Sequence, residues 1–327
     1  MITLALDVPE MVVLVMSEPL KEQGLGSKRC AVVGIVGRTN SGKSTLLNRM
    51  VGEKISIVSP VEQTTRNTIR GILTEGRGQL VFLDTPGLHK AEGALGTLLN
   101  RMARQASAGV DILMIVFDAS VRPQLEDDGW MRRVLAMDQP VVFVLNKNDI
   151  KPFYEREFKE LWQTILAEKA QTREVCWISA SAIHVAGAVD VIDGLFALAL
   201  PCEDYLFPED IVTDYPRKLA IADVIREKFL ARLHQELPHE LGVRVDQIDE
   251  ARDTWAVTVT LFVNRDSQKG IVIGPKGQNL KYVRQCAEPE LSEVFGVKVK
   301  LELWVKVEKQ WMSNAPLLRQ MGYMGMM

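Results

Sequence analysis

Short polar clusters at the ends of apolar runs carry the chemistry of this 327-residue chain. In "GRTNSGKST" the order Gly37-x-x-x-x-Gly42-Lys43-Ser44 stands out. Glycines at that spacing let successive backbone N–H groups turn inward around phosphate oxygens, at the positive end of the helix that follows. Lys43 then faces the β- and γ-phosphates and the Ser44 hydroxyl is a ligand for Mg2+. Asn40, Ser41 and Thr45 complete the lining of the loop. A chance glycine-rich turn is the plain alternative. The apolar "AVVGIVG" before it and the helical "KSTLLNRMVG" after it argue for the phosphate loop.

A second cluster selects the base. "NKND", Asn146 to Asp149, follows the apolar "PVVFVL". A carboxylate at Asp149 can accept hydrogen bonds from guanine N1–H and the exocyclic amine. Adenine offers neither, and a buried carboxylate left without them rejects it by roughly 10⁴-fold. Lys147 can lay its stem along the base plane, and Asn146 can tie this loop to the phosphate loop. In "SAS", Ser179 to Ser181, the Ala180 N–H is expected on guanine O6, with Ser179 beside it. The expected ligands are therefore GTP and GDP with Mg2+.

A third set concerns the γ-phosphate. "DTPG" puts Asp84 at a strand end, placed to hold Mg2+ through water, with the Gly87 N–H as a γ-phosphate sensor. "QTTRNT", Gln63 to Thr68, supplies a threonine that joins the Mg2+ shell only with GTP; Thr65 is favoured over Thr64. Lys43, Thr65 and Gly87 are the expected catalytic set. The glutamine that orients water in Ras-like switches is replaced by Leu88. His89 and Arg66 read as surface residues, so slow intrinsic turnover resting on charge stabilisation is expected.

These clusters need a scaffold. Apolar runs "DILMIVFDAS", "PVVFVLNKND" and "EVCWISAS" alternate with helix-compatible stretches, the pattern of a doubly wound parallel sheet that presents ligand residues at strand ends. The rhythm breaks at "PCEDYLFPEDIVTDYPRK", which reads as a linker. A smaller α/β unit follows, in the order helix, two strands, the Gly-x-x-Gly loop Gly274-Pro275-Lys276-Gly277, helix, strand. The domains are set at 1–27 (flexible extension), 28–200, 201–217 (linker), 218–310 and 311–327 (tail). The amphipathic helix of the second unit aligns Leu219, Ala222, Ile225, Phe229 and Leu233.

Bulk composition, 47% hydrophobic and 25% charged, is that of a soluble globular protein. A net charge of −3 gives no overall attraction for nucleic acid, and from Arg217 onward 17 Lys/Arg face 14 Asp/Glu. Any nucleic-acid site must be local and suits a single strand. The scattered cysteines Cys30, Cys176, Cys202 and Cys286 form no C-x-x-C pair. That argues against a zinc site or disulfide framework and suits a reducing cytoplasm. "MVVLVM" in the first residues is short and flanked by Asp7, Glu10 and Glu18, unlike a signal peptide; Met16 is a second candidate start.

With these motifs in order the sequence resembles the Era family of bacterial GTPases over about residues 29–323. "GRTNSGKSTLLN", "QTTR", "DTPG" and "NKND" are shared with many GTPases; "EDIVTDYPRKLAIADVIREK", "HQELPHE", "IVIGPKG" and "LELWVKV" are more specific. The resemblance implies an Era-type GTPase domain followed by a type II KH domain. It further implies binding of the 3′ end of small-subunit ribosomal RNA on the 30S pre-ribosomal particle, with Gly274, Pro275, Lys276 and Gly277 as RNA contacts. It also implies K+ at Asn40 as an aid to hydrolysis. A monomer in the cytoplasm is the default expectation, with peripheral contact to the inner membrane surface left open. The rivals are a non-hydrolysing, nucleotide-stabilised RNA-binding protein and a tRNA-modification or tandem GTPase. Thr39 and Ser41 stand where the family usually has proline and valine, and Glu288 where it usually has arginine. Pro289 is expected to kink or end its helix.

Overall fold

The computed structural model describes residues 28–58, 67–85, 109–233 and 237–323. The expectations for residues 1–27 and for Thr64, Thr65, Arg66, Gly87, Leu88 and His89 lie outside the described residues.

The first domain runs β1 (Arg29–Val36), α1 (Lys43–Val51), β2 (Ile69–Glu75), β3 (Gly78–Asp84), β4 (Ile112–Asp118), α2 (Leu125–Val134), β5 (Val141–Asn146), α3 (Glu155–Lys169), β6 (Cys176–Ser179) and α4 (Val185–Leu198). The sheet order is β2-β3-β1-β4-β5-β6. β1, β3, β4, β5 and β6 are parallel neighbours, whereas β2 pairs antiparallel with β3. The sheet is thus not wholly parallel. "TIRGILTE" mixes polar and apolar residues because it borders the sheet, so it lacks the continuous apolar signature of the inner strands.

β4 and β5 are buried throughout because helices cover both faces. Met114 and Val116 pack with Leu46 and Leu47 of α1 and Leu195 of α4. Their neighbours Ile115 and Phe117 pack with Trp130 of α2 and Phe158 and Trp162 of α3. The two-residue alternation of strand side chains divides the runs between two cores. Gly37, Asp84, Asp118, Asn146 and Ser179 all fall at the carboxyl ends of parallel strands, where open α/β sheets take ligands.

The segment after α4 is no free tether. β7 (Leu200–Pro201) pairs antiparallel with the start of β1. Further on, Ile72 N donates to Val212 O, Thr213 Oγ1 donates to Arg70 O, and Arg70 pairs with Asp214, so the chain runs along the outer edge of β2. A disulfide joins Cys30 to Cys202, with the Cα atoms 5.7 Å apart. This overturns the expectation of no cross-link: the pairing of β1 with β7 brings together two cysteines far apart in sequence.

The second domain contains α5 (Arg217–Arg232), α6 (Leu237–Glu240), β8 (Gly242–Glu250), β9 (Thr254–Val263), α7 (Asp266–Ile273), α8 (Gln278–Phe295), β10 (Lys298–Val307) and α9 (Ala315–Gln320). Its sheet order is β10-β9-β8, with β8 and β9 antiparallel and β9 and β10 parallel. α7 was not legible in the sequence; Gln268 starts it by accepting from the amides of Asn264 and Arg265. The residues after β10 are not a loose tail: Trp311, Leu317, Leu318, Met321 and Tyr323 form a small core with Phe262.

Pro289 neither ends nor breaks α8. Pro289 and Gln285, whose carbonyl loses its helical donor, both lie on the exposed face, where water can replace the missing N–H. Glu288 points to the sheet, not to the loop: it accepts from Leu301 N, while Ser292 accepts from Val299 N. Together they satisfy the outer edge of β10.

Candidate functional site

Both glycines of the phosphate loop are forced by close approach. A Cβ on Gly37 would lie 2.3 Å from Val116 O, and one on Gly42 would lie 2.2 Å from Asn146 Nδ2. Gly42 caps α1 at φ 95°, with no side chain on the helix amides. The helix therefore opens directly into the loop with donors available to an anion. Asn40 adopts φ 58° and is exposed, while Ser41 is buried with no partner for its hydroxyl. Thr45 sits half-buried one residue into the helix after Ser44.

Lys43 is buried, and its Nζ donates to Gly37 O at 3.2 Å and Arg38 O at 2.7 Å. Burial pulls its pKa down to about 8; the Asp84 charge opposes this and the Arg38 charge adds to it. Asp84 is also buried, and burial raises its pKa against the pull of Lys43 and of its hydrogen bonds. Its Oδ2 accepts from Ser44 Oγ at 2.8 Å and Ser56 Oγ at 3.0 Å, whereas Oδ1 has no partner. A buried carboxylate oxygen with nothing to bind, beside a hydroxyl at a helix start, is the donor chemistry of a hard divalent cation. Ser44 and Asp84 fit Mg2+.

On the base side, Asn146 bridges two loops: Nδ2 donates to Ser41 O at 2.8 Å and Oδ1 accepts from Ala182 N at 2.9 Å. Lys147 has φ 68° and its Nζ donates to Asp118 Oδ2 at 2.7 Å. Asp149 is exposed, not buried. Ser179 Oγ donates to Glu155 Oε2 at 3.1 Å. Ala180 departs from expectation. Its N–H bonds Leu145 O at 2.9 Å because the parallel pairing of β5 and β6 runs one residue past the strand, so this amide is committed to the sheet. The Ala180 side chain is fully buried.

Three residues had no signal strong enough to single them out. Asp118 meets Lys147, Arg38 and Ser120. Arg38 meets Asp118 at 3.2 Å and the buried Asp127 at 3.7 Å. Asn279 braces the second loop, donating to Ile271 O at 2.8 Å and accepting from Arg232 Nε at 3.1 Å. Asp118 was findable as the last residue of an apolar strand, in register with Asn146.

The Gly-x-x-Gly loop joins α7 to α8. Gly274, Lys276 and Gly277 all have positive φ, at 73°, 50° and 74°. A Cβ on Gly274 would lie 2.8 Å from Asn279 Cγ. Pro275 and Lys276 are exposed, and Ile271 and Tyr282 stand exposed on the flanking helices, with Arg232 over the Tyr282 ring at 5.1 Å. A close-approach loop with one cation beside apolar and aromatic surface suits a single-stranded backbone and unstacked bases.

Fold and site together define a P-loop nucleotide-binding protein with an appended KH domain. Residues 32–147 match the family model of the 50S ribosome-binding GTPases, and residues 236–312 match that of the KH domain. GTPase Era of Caldanaerobacter subterraneus subsp. tengcongensis is 40% identical over 299 residues, covering 90% of this chain and 98% of the relative. GTPase Era of Geobacter sp. is 39% identical over 298 residues, with 90% and 98% covered. A crystal structure of Era with MgGDPNP and nucleotides 1506–1542 of 16S ribosomal RNA superposes with TM-score 0.81 at 31% identity, covering 90% of this chain and 99% of that one. A single-substitution variant of Aquifex aeolicus Era bound to GDP·AlF4− matches with the same TM-score, identity and coverage. The chain belongs to the Era family of GTPases. Among the described residues no helix is long and apolar enough to cross a membrane.

Proposed function

We propose that this protein is a GTP-hydrolysing switch that binds the 3′ end of small-subunit ribosomal RNA and assists assembly of the 30S subunit. The observation that carries the proposal is the unpartnered buried oxygen of Asp84 beside the Ser44 hydroxyl, at the mouth of a phosphate loop in a chain that also holds a KH loop. The Era structures holding a GTP analogue with 16S RNA, and GDP·AlF4−, support it.

In this mechanism Lys43 exchanges the carbonyls of Gly37 and Arg38 for phosphate oxygens, and the amides at the start of α1 fix the β-phosphate. Ser44 and Asp84 hold Mg2+, which when bound neutralises phosphate charge. Thr65 and Gly87 respond to the γ-phosphate. Asn146 keeps the base loop and phosphate loop in step, Lys147 and Asp149 meet guanine, and Ala180 forms the floor with Ser179 at its edge. Asn40 is exposed in the loop, where it can offer an oxygen to K+. Gly274, Pro275, Lys276 and Gly277 contact the RNA backbone. The protein acts as a cytoplasmic monomer; peripheral membrane contact is to be tested by vesicle co-sedimentation.

The decisive experiment is GTP turnover in KCl and in NaCl, with and without an oligonucleotide of the 16S 3′ end. Turnover that rises with the oligonucleotide, exceeds the NaCl rate and vanishes in Lys43→Ala is expected. Binding of both ligands without turnover overturns the enzyme in favour of a nucleotide-stabilised RNA-binding protein.

A further inference from the structure

We infer that Asp118 is a positioning residue for guanine selection, holding Lys147 as a wall of the base slot and locking the base loop to the phosphate loop through Arg38. This rests on the assignment of Lys147 to the guanine site. Asp118 ends β4, and its side chain is 9% exposed. It gathers donors from three directions: Ser120 N at 3.1 Å and Ser120 Oγ at 2.5 Å, Lys147 Nζ at 2.7 Å, and the Arg38 guanidinium at 3.2 Å.

Each partner leaves a different element. Ser120 fixes the carboxylate after β4, Lys147 follows β5, and Arg38 lies in the phosphate loop. Lys147 has left-handed backbone geometry, so its long side chain leaves the main chain in an uncommon direction. Its stem is stationary only if the ammonium is held, and the contact recorded there is Asp118. Arg38 is held by Asp118 and by the buried Asp127, which itself accepts from Gln124 N at the start of α2. Two cations and two carboxylates therefore interlock between the base and phosphate sides. Burial would raise the Asp118 pKa, but hydrogen bonds from Lys147 and Ser120 more than offset it and keep the carboxylate charged. A simple staple of the fold would use the same contacts, so the test must separate ligand binding from stability.

The test measures Kd for GDP and for guanosine, which lacks phosphate, together with thermal melting and the kcat and KM for GTP. Loss of a charge-assisted contact predicts that Asp118→Asn weakens both ligands by about 10- to 100-fold, with the loss falling on KM rather than kcat. Lys147→Met keeps an apolar stem but loses the ammonium, and should weaken GDP comparably. Lys147→Arg, which can still reach Asp118, should largely keep affinity. In the Lys147→Met background, Asp118→Asn should cost clearly less than it does alone, leaving only the loss of the Arg38 contact. Additive losses, or unchanged guanosine affinity in Asp118→Asn, overturn the proposal. Full GDP affinity in Lys147→Met overturns instead the assignment of Lys147 to guanine, and this inference with it. If Asp118→Asn does not fold, the Lys147→Met and Lys147→Arg pair decides: equal affinities overturn the role of the held ammonium.

Discussion

Lys54 Nζ, just after the first helix of the GTPase domain, lies 2.7 Å from Glu290 Oε1 in the KH helix that follows the Gly-x-x-Gly loop. The same ammonium is 2.8 Å from Glu227 of α5, and Lys228 pairs with Glu290 from the other side. One cation thus joins the nucleotide-binding domain to two helices of the RNA domain. Lys54 is partly exposed, so its removal is expected to be mild: Lys54→Met should lower stability by about 1 kcal/mol at low salt and by much less in concentrated salt. Burial would raise the Glu290 pKa, but hydrogen bonds from Lys228 and Lys54 bring it below the usual value. That contribution is present above the unfolded glutamate pKa and is lost as pH falls through the folded one. Urea titrations at two salt concentrations and across the acid range check both statements.

The low pKa of Lys43 makes nucleotide binding proton-linked. In the free protein the group is neutral above about pH 8, yet a phosphate requires it charged. Between that value and its ordinary 10.5, the unfolded chain holds a proton that the folded chain lacks, so the free protein gains stability as pH rises through this window. GDP affinity should fall over the same window. Calorimetry near pH 8.5 in buffers of different ionisation enthalpy should show proton uptake on binding, and Lys43→Met should show none.

Tyr215 in the interdomain segment accepts from Asn67 Nδ2 at 2.9 Å and donates to Asp223 Oδ2 at 2.8 Å, and Asp223 pairs with the buried Arg226. Tyr215→Phe keeps the ring but leaves Asn67 and Asp223 each short of a partner. A loss of about 1–3 kcal/mol is expected, measured by chemical denaturation.

Ser41 carries a buried hydroxyl with no partner. Ser41→Ala removes that cost with little change of shape and should stabilise the nucleotide-free protein by up to about 1 kcal/mol. The melting temperature without ligand is the readout.

The Cys30–Cys202 cross-link spans a sequence separation of 172. A chain-entropy treatment of a loop this long gives about 5 kcal/mol of stabilisation. Dithiothreitol should therefore lower the melting temperature markedly, and Cys202→Ser should match the reduced protein and show no further response to the reagent.

The GTPase domain was the more legible half because its chemistry is carried by backbone geometry and strand ends. Gly37, Gly42, Lys43, Ser44, Asp84 and Asn146 lie at the points where the apolar runs stop. The edge strand β2 was missed because an edge position tolerates polar residues and removes the apolar run. The helix α7 was hidden because "DSQKGIVI" buries only Val272 and shows no helical periodicity. Pro289 and Glu288 misled in a different way. A proline on a solvent face and an acid against a strand edge look, in one dimension, like a helix break and a lost RNA contact. Asp118 was marked only by its place at the end of an apolar run; Arg38 and the Cys30–Cys202 pair depend on tertiary approach, for which spacing along the chain is no guide.

The bond between Cys30 and Cys202 has a topological consequence. It closes the whole GTPase domain into a covalent ring, with the KH domain attached where the ring is tied. A protease that cuts once anywhere between those cysteines leaves a single covalent molecule until a reductant is added. The shortest covalent path between the first residue of β1 and the KH domain runs through the sulfur bridge and bypasses the backbone of residues 31–201.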